Sequence, residues 1–368
     1  MAVPKTPIWP AEPHTLAKHE ILRRYLGPWY AILLRGGFPE IVYLDGFAGP
    51  GAYTGGEPGS PFVAVQTFLN HPQRPPNGKV TCIFIEENRN RFKHLEAQLA
   101  EIDLPAGIEV FTFHGAFEKQ AQRLLQEPQK YGLGRTPTFA FVDPFGFEGL
   151  SMGVLARIVK PTASEVFVTF MIDAIERWIF HPDEAVTRHL DAMFGTGAWG
   201  AACDLQPVTR RRFLQDLYIQ QLQTIAKLRY GRPFEMRDWH GNAIYSLIFG
   251  TSGEKGLEVM KESMWRVDTG GAFVFSDATD PDQAVLFVDE PQLHSLRRRI
   301  CDRFRGTQTL ADEVLRFTVV ETAFLRKHAR GILRALEDEG LIRAVEGTRK
   351  KTRSYPAGTV LEFSSSCS

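Results

Sequence analysis

The stretch Ile41-Val-Tyr-Leu-Asp-Gly-Phe-Ala-Gly-Pro-Gly51 constrains the fold of this chain more than any other. Ile41 to Leu44 make an apolar run long enough for a buried strand, and Asp45 followed by Gly46, Gly49 and Gly51 is how such a strand gives way to a turn. Glycine has no Cβ, so the loop backbone can take positive φ and lie directly against a ligand, its amide N–H groups aimed at it. The alternative is a glycine-rich turn that binds nothing. A second apolar run, Thr81-Cys-Ile-Phe-Ile-Glu-Glu-Asn88, also ends in acid, and Arg89 to Ala100 has a helical period with Phe92, Leu95 and Leu99 on one face. An acid at the end of a second strand is placed to accept hydrogen bonds from ribose hydroxyls, which makes Glu86 the candidate. In the competing reading Glu86 and Glu87 merely favour the positive end of that helix.

Further strand–helix alternation follows. Ile108 to Phe113 leads into His114-Gly-Ala-Phe117, and Thr138-Phe-Ala-Phe-Val142 ends in Asp143-Pro-Phe-Gly-Phe147. An Asp-Pro pair after a buried strand is an ordinary turn. The same residue types also suit amine chemistry: a carboxylate or backbone carbonyl accepts from an exocyclic NH2, Pro144 stiffens the turn, and Phe145 offers a ring to an extruded base. Leu150 to Val159 reads as a helix and Ser164 to Phe170 as a fifth strand. Met171 to about Met236 reads as a helical insertion carrying Asp173, Arg177, Trp178, His189, Trp199 and Phe213. Strand pattern resumes at Ala243–Phe249, a helix follows from Gly256 to Arg266, and Ala272–Phe275 or Ala284–Val288 completes the sheet.

Upstream of the glycine loop, His14 to Leu34 is helical, with Leu22, Tyr25, Leu26, Trp29 and Leu33 on one face and a break expected at Gly27-Pro28. Its polar face carries His14, Lys18, His19 and Glu20. After the loop, Ser60 is a good N-cap with Pro61 at the first helical position, and Glu57 and Ser60 either face a ligand or order the loop.

The 368 residues suggest two domains, and 43% apolar with 23% charged residues is a soluble globular composition. No run approaches the roughly 18 apolar residues of a membrane span, and Met1 to Pro13 has no signal-peptide core, so a cytoplasmic protein is expected. Cys82, Cys203, Cys301 and Cys367 lie far apart without a C-x-x-C pair, which suggests neither a disulfide framework nor a zinc site. No Pro-Cys dipeptide occurs.

Charge is uneven within a neutral total. Residues 291–363 hold 15 Lys and Arg against 9 Asp and Glu. Helical patterns at Arg297–Arg305, Leu310–Glu321 and Phe324–Glu339 precede a hairpin from Gly340 to Phe363, an order that looks like a winged helix-turn-helix. Arg326, Lys327, Arg330 and Arg334 on its third helix, with Arg349, Lys350, Lys351, Arg353 and Tyr355 in its wing, make a phosphate-binding footprint. The alternatives are a protein-contact surface or a solvated loop.

The spacing Asp45-x-Phe47-x-Gly49-x-Gly51 resembles the first motif of class I S-adenosylmethionine-dependent methyltransferases, where the loop lies under the cofactor's methionine and ribose. The resemblance implies S-adenosylmethionine as cofactor, held by Asp45, Phe47, Ala48, Gly49, Gly51 and Glu86, with Ala116 where such enzymes often carry an acid for the adenine amino group. The fourth run resembles the Asp/Asn-Pro-Pro-Tyr/Phe motif of amino-methyltransferases. Phe145 replaces the second proline, closer to the tRNA guanine dimethyltransferases, and Asp143, Pro144 and Phe145 become the implied catalytic set. Lys18-His19 is similar to a pair beside the cofactor in ribosomal-RNA adenine methyltransferases of the J type; a solvated helix face is the alternative.

The ordered set His14-Thr-Leu-Ala-Lys-His-Glu-Ile-Leu22, Tyr43–Gly51, Phe141–Phe147, Ser246-Leu-Ile-Phe-Gly-Thr-Ser252 and Gly256–Lys261 with Met264-Trp265 resembles the three-Cys-motif partner (TcmP) proteins over nearly the whole chain. Thr169 stands where that family is expected to have asparagine. The resemblance implies an α/β fold, a class I methyltransferase-like Rossmann sheet with a helical insertion and a C-terminal winged helix-turn-helix. The expected domains are a cofactor-binding core at 1–170, the insertion at 171–236, completion of the sheet at 237–290 and the winged helix at 291–363. It also implies a partner, the three-Cys-motif protein, an iron–sulfur or radical protein. Two functions follow: methyl transfer to an exocyclic base amino group of DNA or RNA, or a non-catalytic nucleic-acid-binding scaffold that recruits that partner.

Overall fold

A computed structural model of the chain describes residues 6–71, 78–268, 274–276 and 293–367. The chain divides into two compact units, Met1–Gly256 with Val274–Asp280, and Leu257–Phe273 with Pro281–Ser368.

The first unit is built on a sheet of eight strands among the described residues: β1 (Glu40–Asp45), β2 (Lys79–Glu86), β3 (Ile108–His114), β4 (Thr138–Val142), β5 (Glu165–Phe170), β6 (Tyr230–Arg237), β7 (Ala243–Thr251) and β8 (Val274–Ser276). Their order is β3-β2-β1-β4-β5-β7-β6-β8. The first five strands run parallel, β7 is antiparallel to both β5 and β6, and β8 lies parallel to β6. β4 and β5 are buried along their whole length and β1 and β2 almost so, as unbroken apolar runs require when helices cover both faces. Chain order reverses between β1 and β4, so a crevice opens at their carboxyl ends, where Asp45 and Asp143 lie.

The helices of this unit are α1 (Pro13–Arg35), α2 (Ser60–Leu69), α3 (Arg89–Leu99), α4 (Phe117–Leu124), α5 (Pro128–Tyr131), α6 (Met152–Ile158), α7 (Ile172–Trp178), α8 (Glu184–Phe194) and α9 (Pro207–Thr224), with a 3₁₀ segment at Gly197–Asp204. The break expected at Gly27-Pro28 does not occur: α1 runs through it. An interior proline costs roughly 3 kcal/mol, yet burial of Leu26, Trp29 and Tyr30 on either side holds the helix. Tyr30 packs edge-on to Phe68 of α2 at 5.2 Å and donates to Ala64 O at 3.1 Å. Ser60 is not the N-cap of α2; Gly59 holds that position and Ser60 begins the helix. The helical reading of 171–236 also ends too late. Tyr230–Arg237 is β6, and its two-residue period, with Tyr230, Phe234 and Met236 buried, is masked in sequence by Gly231, Pro233 and the charged residues between them. Val274–Ser276 joins the sheet, whereas Ala284–Val288 lies outside the described residues.

The second unit takes α10 (Glu254–Trp265) from Leu257 onward, then α11 (Leu293–Phe304), β9 (Gln308–Leu310), α12 (Ala311–Glu321), α13 (Arg326–Asp338), β10 (Ile342–Ala344) and β11 (Val360–Phe363). The strands form a sheet of order β10-β11-β9, the wing. Lys261 of α10 is fully buried and donates to the carbonyls of Val319 (2.8 Å), Thr322 (2.9 Å), Thr318 (3.4 Å) and Phe324. One ammonium thus collects the acceptors that the end of α12 leaves without helical partners. Trp265 adds a bond from Nε1 to Ala323 O at 2.9 Å and lies 4.5 Å from the His328 ring. Contrary to the reading of the cysteines, Cys301 of α11 and Cys367 form a disulfide, with Cα atoms 5.3 Å apart across 66 residues of sequence. Cys82 and Cys203 are free.

Candidate active site

The glycine loop forms the floor of a cavity at the carboxyl ends of β1 and β4. Its lining includes Phe47, Ala48, Gly49, Gly51, His19, Asp143 and Phe145 of the expected site residues, whereas Lys18, Asp45, Glu86 and Pro144 stand outside it. The loop is held from below by its own strands: Gly46 N donates to Phe141 O and Ala48 N to Ile85 O, both at 2.9 Å. Gly49 (φ +65°) and Gly51 (φ +91°) take the left-handed backbone that closes the turn. At Gly51 space is a second constraint, since a Cβ would come within 3 Å of Phe62 and Gln98.

Three acids lie around this floor, of which only Asp143 lines the cavity. Asp45 is wholly buried and accepts from Phe47 N at 3.2 Å and from the Ser60 hydroxyl. Burial pushes its carboxyl up to about 7, with Asp143 and Glu86 adding to the rise and the two hydrogen bonds opposing it. Glu86 ends β2, where its Oε2 accepts from Gly49 N at 2.8 Å and its Oε1 from Asn88 N at 2.7 Å. It therefore ties the loop to β2 rather than serving only the next helix, whose N-cap is Asn88. Burial raises its carboxyl as well, against the pull of those N–H groups and of Arg91.

Asp143 is the third acid. Lys18 Nζ donates to its Oδ2 at 2.5 Å, with the two side chains 6% and 22% exposed. Lys18 thus meets the acid after β4, and the solvated-face reading of α1 fails for His14, Lys18 and His19, all buried. His19 lines the cavity; burial, then Lys18, depresses it to about 3, so the ring is neutral. Its Nδ1 is buried without a hydrogen-bond partner among the described residues, as is Thr169 Oγ1 on β5. Pro144 is buried. Ala116 is the N-cap of α4 and is not part of the lining.

Sequence reading missed the outer wall. Trp9 and Tyr53 line the cavity, with ring centroids 5.7 Å apart, and Trp9 stands 6.0 Å from Phe145. The Arg91 guanidinium lies 4.8 Å from the Trp9 ring and 5.2 Å from that of Phe145. Tyr245 of β7, 5.4 Å from Lys18 Nζ, was also missed. No periodicity marks an isolated tryptophan before a helix or an arginine in a helix's first turn.

In the second unit, the expected phosphate-binding residues divide. Arg326 pairs with Glu258 at 3.2 Å, Arg349 holds Glu337 through both guanidinium nitrogens, and Arg353 pairs with Asp338. Lys327, Arg330, Lys350 and Lys351 are exposed and make no ion pair among the described residues.

Residues 274–347 match the family model described as the GMT-like wHTH domain. No curated protein matches the sequence. Similar solved structures include an O-methyltransferase from Bacillus cereus in complex with SAH, 12% identical over 66% of this chain and 82% of that chain, TM-score 0.33. Another is a duf574 family protein from Streptomyces avermitilis, 12% identical over 64% of this chain and 83% of that chain, TM-score 0.34. A third is geranyl diphosphate methyltransferase in complex with GPP and sinefungin, 14% identical over 65% of this chain and 78% of that chain, TM-score 0.30. Among the described residues no helix is long and apolar enough to cross a membrane.

Proposed function

We propose that this chain is an S-adenosylmethionine-dependent methyltransferase acting on an exocyclic base amino group of nucleic acid, working with a three-Cys-motif partner protein. The observation that carries the reading is the Lys18–Asp143 pair, which sets a carboxylate in the wall of the cavity floored by the glycine loop. The residues fit the cofactor: the left-handed glycines let the loop backbone come close to it, Asp45 beneath the floor puts a carboxyl below its cationic portion, Glu86 at the end of β2 stands on the side of its ribose, and the unpartnered His19 Nδ1 waits for a polar atom. When bound, S-adenosylmethionine supplies an electrophilic methyl group. Lys18 fixes one oxygen of Asp143, and Oδ1, without a partner among the described residues, accepts a hydrogen bond from the target amine. Asp143 and the Pro144 carbonyl then turn the amine lone pair toward the cofactor, and Phe145 gives the site an aromatic face. Lys327, Arg330, Lys350 and Lys351 are the cations left to meet phosphates.

Transfer of labelled methyl groups to total cellular RNA and DNA, with and without the three-Cys-motif partner, tests the reading. Asp143→Ala should abolish transfer while S-adenosylhomocysteine affinity stays within a few-fold, because Asp45, Glu86 and the loop are untouched. A protein that binds the cofactor but labels nothing in any combination would leave the nucleic-acid-binding scaffold as the better account.

A further inference from the structure

The outer wall of the cavity is the most aromatic surface of the site, and Trp9, Tyr53 and Arg91 have no part in the chemistry just described. Trp9 and Phe145 meet at 6.0 Å with their planes inclined by 64°, Tyr53 closes on Trp9 edge-on, and the Arg91 guanidinium covers both Trp9 and Phe145. Trp9 is anchored there by the bond from Thr54 N to its carbonyl at 3.0 Å, and Arg91 is only 3% exposed. Arg91 belongs to the first turn of α3, five residues after Glu86, and its charge bears on the Glu86 carboxylate. The guanidinium against Phe145 is thus near enough to Glu86, the acid given above to ribose, for its charge to act there. Ala116 has no carboxylate with which to take a purine amino group.

We propose that Trp9, Phe145 and Arg91 form the purine subsite of the cofactor, with Phe145 stacking on the adenine of S-adenosylmethionine and not on the target base; this rests on the methyltransferase reading above. Trp9 and Phe145 line the cavity while Arg91 does not, and the guanidinium 4.8 and 5.2 Å from their rings shows that these rings accept a flat delocalised partner. Purine and guanidinium offer an aromatic face the same kind of partner, a flat delocalised group, and a purine's ring nitrogens can also accept from guanidinium N–H groups. Recognition of this kind reads shape and π-surface, which accounts for a cofactor site without an acid at position 116.

Calorimetry on the full chain decides the matter, with S-adenosylhomocysteine as one probe and adenosine, which lacks the amino-acid half, as the other. Trp9→Ala and Phe145→Ala should each weaken both probes by about 10-fold or more, the loss expected of a removed stacking face. Trp9→Phe and Phe145→Tyr should restore affinity, which a mere folding defect would not allow. Wild-type affinity for S-adenosylhomocysteine in both alanine variants would overturn the subsite and return Phe145 to the target base. Failure of the wild type to bind S-adenosylhomocysteine at all would instead overturn the methyltransferase reading itself, so the two failures are distinguishable.

Discussion

At the scale of single residues, the chemistry of the site is set by burial of acids. Asp45 has no exposed surface, and its carboxyl sits near 7 instead of 3.8 because burial outweighs the help of Ser60 and Phe47 N. The sign of the consequence follows from linkage. A carboxyl raised in the folded state stays protonated there while the unfolded chain ionises, so its stabilising contribution is complete below about pH 4 and is lost as pH rises through about 7. Glu165, bonded to Tyr25 and to Thr251 at 2.7 Å, is also raised by burial to about 7 and acts in the same direction. The cofactor-free protein should melt at a higher temperature at pH 5.5 than at pH 8, and Asp45→Asn or Glu165→Gln should narrow the gap. Binding runs the other way: a sulfonium cation prefers ionised Asp45, so S-adenosylmethionine affinity should rise up to about 10-fold between pH 6 and 8. Asp45→Asn should flatten that profile in calorimetry; an unchanged profile would take the residue out of the cofactor's reach. Asp45, Glu86 and Asp143 were legible because each follows an apolar run. Their partners were not: Lys18 is 125 residues from Asp143, a distance in sequence that only the fold removes.

At the scale of elements, strands announced themselves where both faces are buried and hid where one is not. β1, β2, β4 and β5 are continuous apolar runs, while β6 alternates and contains a glycine and a proline, so its seven residues up to Met236 were absorbed into a helical reading. Pro28 misled in the opposite sense, because a local propensity was overridden by the packing of α1 on α2 and β4, visible in Trp29 lying 5.6 Å from Phe139. α10 was legible as a helix but not as the element that binds the end of α12. The four carbonyls around Lys261 are buried with it; Thr318 O also accepts from the Thr322 hydroxyl, but removing the ammonium takes the side-chain donor from those of Val319, Thr322 and Phe324. Lys261→Met should keep much of the apolar packing and still destabilise the second unit by about 2–5 kcal/mol in urea unfolding of the full chain. A loss below about 0.5 kcal/mol would mean that the ammonium contributes no more than its methylenes.

At the scale of the whole molecule, the chain joins a parallel-sheet unit to a winged-helix unit, and the second illustrates what pattern alone can and cannot give. Helices and hairpin were legible from periodicity, and the excess of Lys and Arg over Asp and Glu was countable. The Cys301–Cys367 disulfide was not, since its partners stand 66 residues apart with no spacing motif. Nor could counting tell which cations are already paired. Arg349 and Arg353 are held by Glu337 and Asp338 of α13, and Arg326 by Glu258, so these arginines brace the wing and helix while Lys327, Arg330, Lys350 and Lys351 face solvent. If those four meet phosphates, the full chain should bind duplex DNA or structured RNA with affinity that falls steeply as salt rises, and removing any one of these cations should reduce the log–log slope by roughly one. Lys350→Glu with Lys351→Glu should therefore flatten the slope by roughly two and weaken binding on every sequence alike. Arg349→Gln should act differently, costing thermal stability through a Glu337 left with the Tyr355 hydroxyl but without its guanidinium, with little change in slope. Fluorescence anisotropy across a salt series separates these outcomes: a slope unaltered by the double lysine reversal would assign the wing to protein contacts and leave nucleic acid to be held elsewhere.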